Sequence, residues 1–127
     1  MMDNKQTFRI LIVDDEAANL HILNQILKGD YTIYAARSGI TALKTACERK
    51  PDLILLDVIL PDISGFEVLS ELKSADATRD IPVIIISALS GGEDVKKSFR
   101  LGAADYITKP FNSLVVKEKI EAQFKQI

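Results

Sequence analysis

Three short stretches of the chain, residues 10–13, 53–56 and 83–86, are apolar at every position. A strand with one wet face alternates apolar and polar residues. An uninterrupted run of this length instead fits a strand covered on both faces, as in a parallel sheet held between helices. Residues 31–36 and 105–108 are weaker candidates and bring the expected strands to five. Between them lie segments with one apolar face: Leu20, Leu23 and Leu27 recur at helical spacing in the first, and Val116, Ile120 and Phe124 in the last. Punctuation agrees with this reading. Lys28-Gly29 and Leu101-Gly102 read as helix stops, and Ser64 and Glu67 have the spacing of a reciprocal amino-terminal cap. Pro51 and Pro82 stand just before strands, where a missing N–H costs least. Strict alternation with right-handed crossovers predicts an α/β fold, a (βα)5 doubly wound parallel five-stranded sheet.

Composition narrows the function. The chain has 127 residues, 47% hydrophobic and 27% charged, which suits one compact domain without disulfide or metal support. Sixteen Lys and Arg against 18 Asp and Glu give a formal charge of −2, too balanced for a dedicated nucleic-acid binder. Cys47 and His21 are each the sole residue of their type, so neither a disulfide nor a Cys- or His-rich metal site is expected, and both read as ordinary helix residues. No apolar run approaches the length of a membrane span, and the opening residues lack the apolar stretch of a secretion signal. The expectation is a soluble, cytoplasmic protein with no direct nucleic-acid or membrane partner.

In folds of this class ligands bind outside the carboxyl ends of the strands, where strand order reverses. Strand one ends in Asp14, Asp15 and Glu16, strand three in Asp57, strand four in Ser87, and strand five in Thr108, Lys109 and Pro110. Singly, each has a plainer reading: Asp14 and Asp15 suit a helix cap, Asp57 a loop, Ser87 a structural hydroxyl, Lys109 a solvated loop. Together they bring three carboxylates, a hydroxyl and an ammonium to one edge. Converging carboxylates repel unless a cation is bound, and all-oxygen ligation with few protein ligands is the habit of Mg²⁺. Cation, ammonium and hydroxyl match the oxygens of a transferring phosphoryl group, and a central carboxylate can serve as its nucleophile.

These residues resemble the receiver domain of two-component response regulators. The likeness runs through three motifs, residues 9–16, 52–65 and 102–111, and covers nearly the whole chain. It implies the flavodoxin-like strand order 2-1-3-4-5 and a single receiver domain over residues 1–127, with no output domain. By resemblance, Asp57 accepts a phosphoryl group from a sensor histidine kinase or a histidine phosphotransfer protein. The chain would then be no enzyme but a phosphoacceptor that catalyses its own phosphorylation and slow dephosphorylation. Asp15, Asp57 and the Ile59 backbone carbonyl would bind Mg²⁺, or Mn²⁺ in its place, with Asp14 acting mainly through water. Lys109 and Ser87 would hold the phosphoryl oxygens, and Lys109-Pro110 is similar to the family's cis peptide. Ser87 and Tyr106 would carry the switch to the face of helix four, strand five and helix five, which engages an output domain or protein. Tyr106 also reads as plain core packing, and Gly91-Gly92 either as freedom for the moving loop or as a tight turn.

Two features depart from many receivers. Ile59 and Leu89 are apolar where polar side chains often orient the attacking water, so slow hydrolysis of the aspartyl phosphate is expected. Val115 and Lys119 replace the acidic residue and Arg of the winged-helix regulators' charged dimer, and Leu114, Val115 and Val116 suggest a more apolar surface for any phosphorylation-dependent homodimer. A pseudo-receiver that binds partners without phosphorylation is the alternative, but it has no need for repelling carboxylates. A small Asp-nucleophile phosphatase would carry D-x-D after strand one, which Asp14-Asp15-Glu16 does not. Glycine-rich nucleotide loops are absent from the sequence.

Overall fold

A computed structural model describes residues 8–89 and 91–125. The opening stretch read above for a secretion signal lies mostly outside them. In chain order the elements are β1 (Arg9–Val13), α1 (Ala17–Leu27), β2 (Thr32–Ala36), α2 (Gly39–Arg49), β3 (Leu53–Leu56), α3 (Gly65–Ser74), β4 (Val83–Ser87), α4 (Gly92–Arg100), β5 (Asp105–Thr108) and α5 (Ser113–Phe124). The strands form one parallel sheet in the order β2-β1-β3-β4-β5. Chain direction across the sheet reverses at the β1/β3 boundary, which opens a crevice at their carboxyl ends.

The uninterrupted apolar runs are explained by where alternate residues go. Leu11, Val13, Ile54, Leu56, Val83 and Ile85 join one core with Ala42 and Ala46 of α2 and Val68, Leu69 and Leu72 of α3. Ile10, Ile12, Leu53, Leu55, Ile84 and Ile86 join the other with Leu20, Leu23 and Leu27 of α1 and Val116 and Ile120 of α5. All twelve strand residues are at most 1% exposed, so both faces are dry. Each such side chain stabilises the fold by roughly 2 kcal/mol relative to exposure. At the amino-terminal edge, Phe8 stacks on Phe124 at 4.2 Å between ring centroids, with Tyr31 tilted beside it.

Element ends differ from the sequence reading in two places. Tyr31 precedes β2, because its N–H donates to the Leu27 carbonyl and closes the turn after α1. Ser64 does cap α3, but its Oγ accepts from the Phe66 N–H, one residue before the position a reciprocal cap with Glu67 would use. The stop at Gly102 follows the expected chemistry. Its φ of +107° lets its N–H reach the Phe99 carbonyl while the Ala103 N–H reaches that of Ser98, satisfying two otherwise orphaned helix-end groups. Glycine tolerates that backbone conformation without a Cβ penalty.

A cap invisible to local pattern sits on α2. Ser38 caps it locally, its hydroxyl accepting from the Thr41 N–H, and Asp62 from the β3–α3 loop adds a carboxylate clamp. Asp62 Oδ1 accepts from the Gly39 N–H at 2.8 Å and Oδ2 from the Ile40 N–H at 2.9 Å. These bonds, the Ile40 one foremost and then the Gly39 one, lower the Asp62 pKa to about 2. A carboxyl whose pKa is depressed by folding stabilises the native state above its unfolded value, near ~4, and loses that contribution as pH falls toward the folded value. Asp62→Asn should therefore lower the melting temperature at pH 7, and the gap to wild type should close between about pH 4 and pH 2. A carbon-detected NMR titration giving Asp62 an ordinary carboxylate midpoint would contradict this account.

Candidate functional site

Sheet register assembles the site. Val13 is level with Ala36 and Leu56, so the residues after β1 and β3 leave the sheet side by side. Their backbones continue its ladder. The Asp14 N–H donates to the Ala36 carbonyl at 3.1 Å, the Asp57 N–H to the Val13 carbonyl at 3.0 Å, and the Lys109 N–H to the Ser87 carbonyl at 2.8 Å. Asp14, Asp57 and Lys109 thus each stand on a strand end fixed by main-chain bonds, and flexible loop backbone plays little part in placing them.

Asp14, Asp15 and Asp57 can each offer a carboxylate oxygen within 4.8 Å of the others. Asp14 is 1% and Asp57 4% exposed, whereas Asp15 is half-buried at the rim. Lys109 Nζ lies 2.7 Å from Asp14 Oδ2 and 2.7 Å from Asp57 Oδ2. Burial works against its ammonium, but hydrogen bonds to Asp14 and Asp57, followed by their charges, outweigh that and raise its pKa. The remaining oxygens also find donors: the Glu16 N–H reaches Asp14 Oδ1 at 3.0 Å, and the Ile59 N–H reaches Asp57 Oδ1 at 3.3 Å. The Lys109–Pro110 peptide is cis. Asp15, Glu16, Asp57, Ile59, Ala88 and Lys109 line a cleft of about 280 Å³. An all-oxygen donor set on three converging carboxylates, one of them at the rim, fits a hard divalent cation such as Mg²⁺.

Ser87 is fully buried, and its Oγ accepts from the Leu89 N–H at 3.2 Å. Tyr106 is turned inward at 8% exposure, and its hydroxyl donates to the Leu89 carbonyl. Burial, foremost, raises the Tyr106 pKa, against a lowering by the Ser87 hydroxyl. Leu89 is therefore held on both sides of its backbone. Its side chain packs against the core shared with α2 and α3, while Ala88 faces the cleft.

The sequence reading thus finds Asp14, Asp15, Asp57 and Lys109 in direct company, with Ile59 lining the cleft and Ser87 and Tyr106 behind it. The apolar run on α5 divides: Leu114 and Val115 are exposed, but Val116 is fully buried. Lys119 Nζ pairs with Asp105 Oδ1 at 3.0 Å within the chain. Two residues of consequence escaped the sequence reading. Arg37 donates from Nε at 3.2 Å and Nη2 at 2.7 Å to the Asp15 carbonyl. Gly65 packs so closely on the segment just after β3 that an added Cβ would lie 2.2 Å from the Asp57 carbonyl oxygen and 2.6 Å from Val58 Cα. Its position in the third-strand motif is a signal, but no local pattern reveals the contact.

Comparison with known proteins follows the same outline. The family model for the response regulator receiver domain matches residues 10–121. The chain is 38% identical over 124 residues to a probable cyclic di-GMP phosphodiesterase of Vibrio cholerae, a match that covers 98% of this chain and only 28% of that protein. It is 36% identical over 104 residues to the polar-differentiation response regulator DivK of Brucella anthropi, covering 81% of this chain and 85% of DivK. Among solved structures, a CheY-like response regulator receiver domain protein from Methanospirillum hungatei superposes with a TM-score of 0.83 at 31% identity, covering 94% of this chain and 98% of that one.

Backbone atoms cannot yield to a new methyl group as a side chain can, so Gly65→Ala must displace either α3 or the backbone of Asp57 and Val58 just after β3. Overpacking of this kind costs about 1–3 kcal/mol. Urea unfolding should show a loss in that range, and the Asp57 and Val58 amide resonances should move. An unchanged midpoint with unshifted resonances would show that the contact is not tight.

Proposed function

Because the chain belongs to the response regulator receiver domain family, we propose that it is a phosphorylation-operated signalling switch with Asp57 as its phosphoacceptor. The observation that carries this reading is the setting of the Asp57 carboxylate: nearly buried, in contact with the Lys109 ammonium, and lining an open cleft with Asp15. An Asp57 oxygen attacks phosphorus in a phosphohistidine of a kinase or phosphotransfer protein. A P–O bond forms, the P–N bond breaks, and the leaving imidazole takes up a proton. The Lys109 ammonium, already shared by Asp14 and Asp57, offsets the charge of the incoming oxygens, and the Ser87 hydroxyl donates to one of them. Asp15, Asp57 and the Ile59 carbonyl would hold Mg²⁺, with Asp14 close by; when bound, the ion supplies charge neutralisation at the carboxylates and the phosphoryl oxygens.

Turning Ser87 Oγ toward the phosphoryl group removes it from the Leu89 N–H, freeing the segment whose carbonyl binds Tyr106. Tyr106 then redistributes between poses, which alters the α4, β5 and α5 face offered to an output partner or to a second copy of the chain. The exposed Leu114 and Val115 make that face partly apolar. Exposed Cys47, with no second cysteine in the chain, suits a reducing, cytoplasmic setting, and no helix among the described residues is long and apolar enough to cross a membrane.

Incubation with Mg²⁺ and acetyl phosphate should add one phosphoryl group by intact mass, and beryllofluoride should shift the Ser87 and Tyr106 resonances. Neither should occur with Asp57→Asn. A folded wild-type protein that acquires no adduct and shows no shift would instead be a binding module that works without phosphorylation. Ile59→Asn should speed loss of the phosphoryl group severalfold, because a polar side chain at the cleft wall can orient water, whereas Leu89, expected to act alike, packs into the core shared with α2 and α3 and leaves its place at the wall to Ala88. An unchanged dephosphorylation rate in Ile59→Asn would remove this residue from control of its lifetime.

A further inference from the structure

Asp15 is the only one of the three carboxylate residues whose backbone N–H or side chain is not tied to a neighbouring strand by a bond described above. Asp14 is fixed through Ala36, and Asp57 through Val13 and Lys109. No side chain caps the first backbone N–H groups of the helix that follows, and the Glu16 carboxylate accepts instead from Asn19 Nδ2 at 2.9 Å. What grips Asp15 is Arg37, whose Nε and Nη2 both donate to its carbonyl. We propose that Arg37 is a positioning residue for Asp15, holding its carbonyl so that its carboxylate stays beside those of Asp14 and Asp57. This rests on the cation-binding reading of the site given above.

The post from which Arg37 reaches is firm. The preceding residue, Ala36, is the last of β2 and its carbonyl accepts the Asp14 N–H. The following residue, Ser38, caps α2, and the first two residues of that helix are clamped by Asp62. Asp62 in turn lies on the loop that leaves Asp57. A chain of polar contacts thus runs from the loop after β3, across the start of α2, to the loop after β1. It joins the two halves of the carboxylate cluster from the side opposite Lys109. A guanidinium suits the task because its donors are fixed in one plane, whereas an ammonium on a flexible stem places a single charge.

Charge and position make opposite demands here, which allows a decisive test. Removing a nearby cation should by charge alone tighten binding of a divalent ion, whereas releasing Asp15 should weaken it. We would titrate the full chain with MgCl₂, without phosphodonor, and follow the amide resonances of residues 14–16 and 57–59. Arg37→Ala should bind Mg²⁺ about tenfold more weakly, as loss of an outer support does at other metal sites. Arg37→Lys should recover part of the affinity, since it keeps one donor. In the metal-free protein, Arg37→Ala should also speed exchange of the Glu16 amide, while Arg37, being exposed, leaves the core intact. Equal or tighter Mg²⁺ binding by Arg37→Ala overturns the proposal, as does unchanged Glu16 exchange. A wild-type protein that shows no saturable Mg²⁺ response overturns the cation-binding reading as well, which separates the two failures.

Discussion

Two carboxylates forced together by the order of the strands are the constraint around which this molecule is arranged. With β1 and β3 adjacent and level, Asp14 and Asp57 must emerge side by side, and both are almost wholly buried. Like charges about 4 Å apart cost on the order of several kcal/mol even at a generous effective dielectric of ~20. Lys109 answers both from β5, across the width of the β4 strand, and its raised pKa records how strongly the acids hold its proton. One ammonium offsets two acids and leaves the third, Asp15, at the open rim. The cluster therefore keeps a negative excess directed into the cleft, which is the condition for drawing in a divalent cation.

Such a cluster weakens a fold that must then be stable for other reasons. The two dry faces of the sheet supply them. Twelve strand side chains divide evenly between the core under α1 and α5 and the core under α2 and α3. The sheet interior can be uniformly apolar because the strands need no wet face, and the charged groups of the site stand just past their ends. Stability and reactivity are thus borne by different stretches of the same strands.

That separation decides how much was legible in the sequence. Apolar runs that stop abruptly at Asp14, Asp57 and Ser87 expose both the strands and the site, since run and site residue are neighbours in the chain. Local punctuation is less dependable. Tyr31 has the composition of a strand but is used to close α1, and Ser64 caps α3 without the geometry that Glu67 promised. Contacts between distant segments were not legible at all. Arg37 lies 22 residues from Asp15, and Asp62 lies 23 from Gly39; both pairings depend on β2 and β3 flanking β1, and neither leaves a pattern in either segment. Leu89 shows the same limit, because its sequence spacing from Ser87 does not reveal that Ala88 takes the place at the cleft wall.

The Leu89 backbone is clasped from two directions, its N–H by Ser87 and its carbonyl by Tyr106. One residue thereby belongs both to the buried hydroxyl beside the cleft and to the aromatic ring in the core that Val95 of α4 joins. Thermodynamic linkage makes such a joint symmetric. A binder on the outer face that favours one setting of this residue, and so changes the affinity of the cleft for its own ligand by some factor, must find its own affinity changed by the same factor when the cleft is filled. The message has no intrinsic direction, and which side acts as sender depends only on which ligand arrives first.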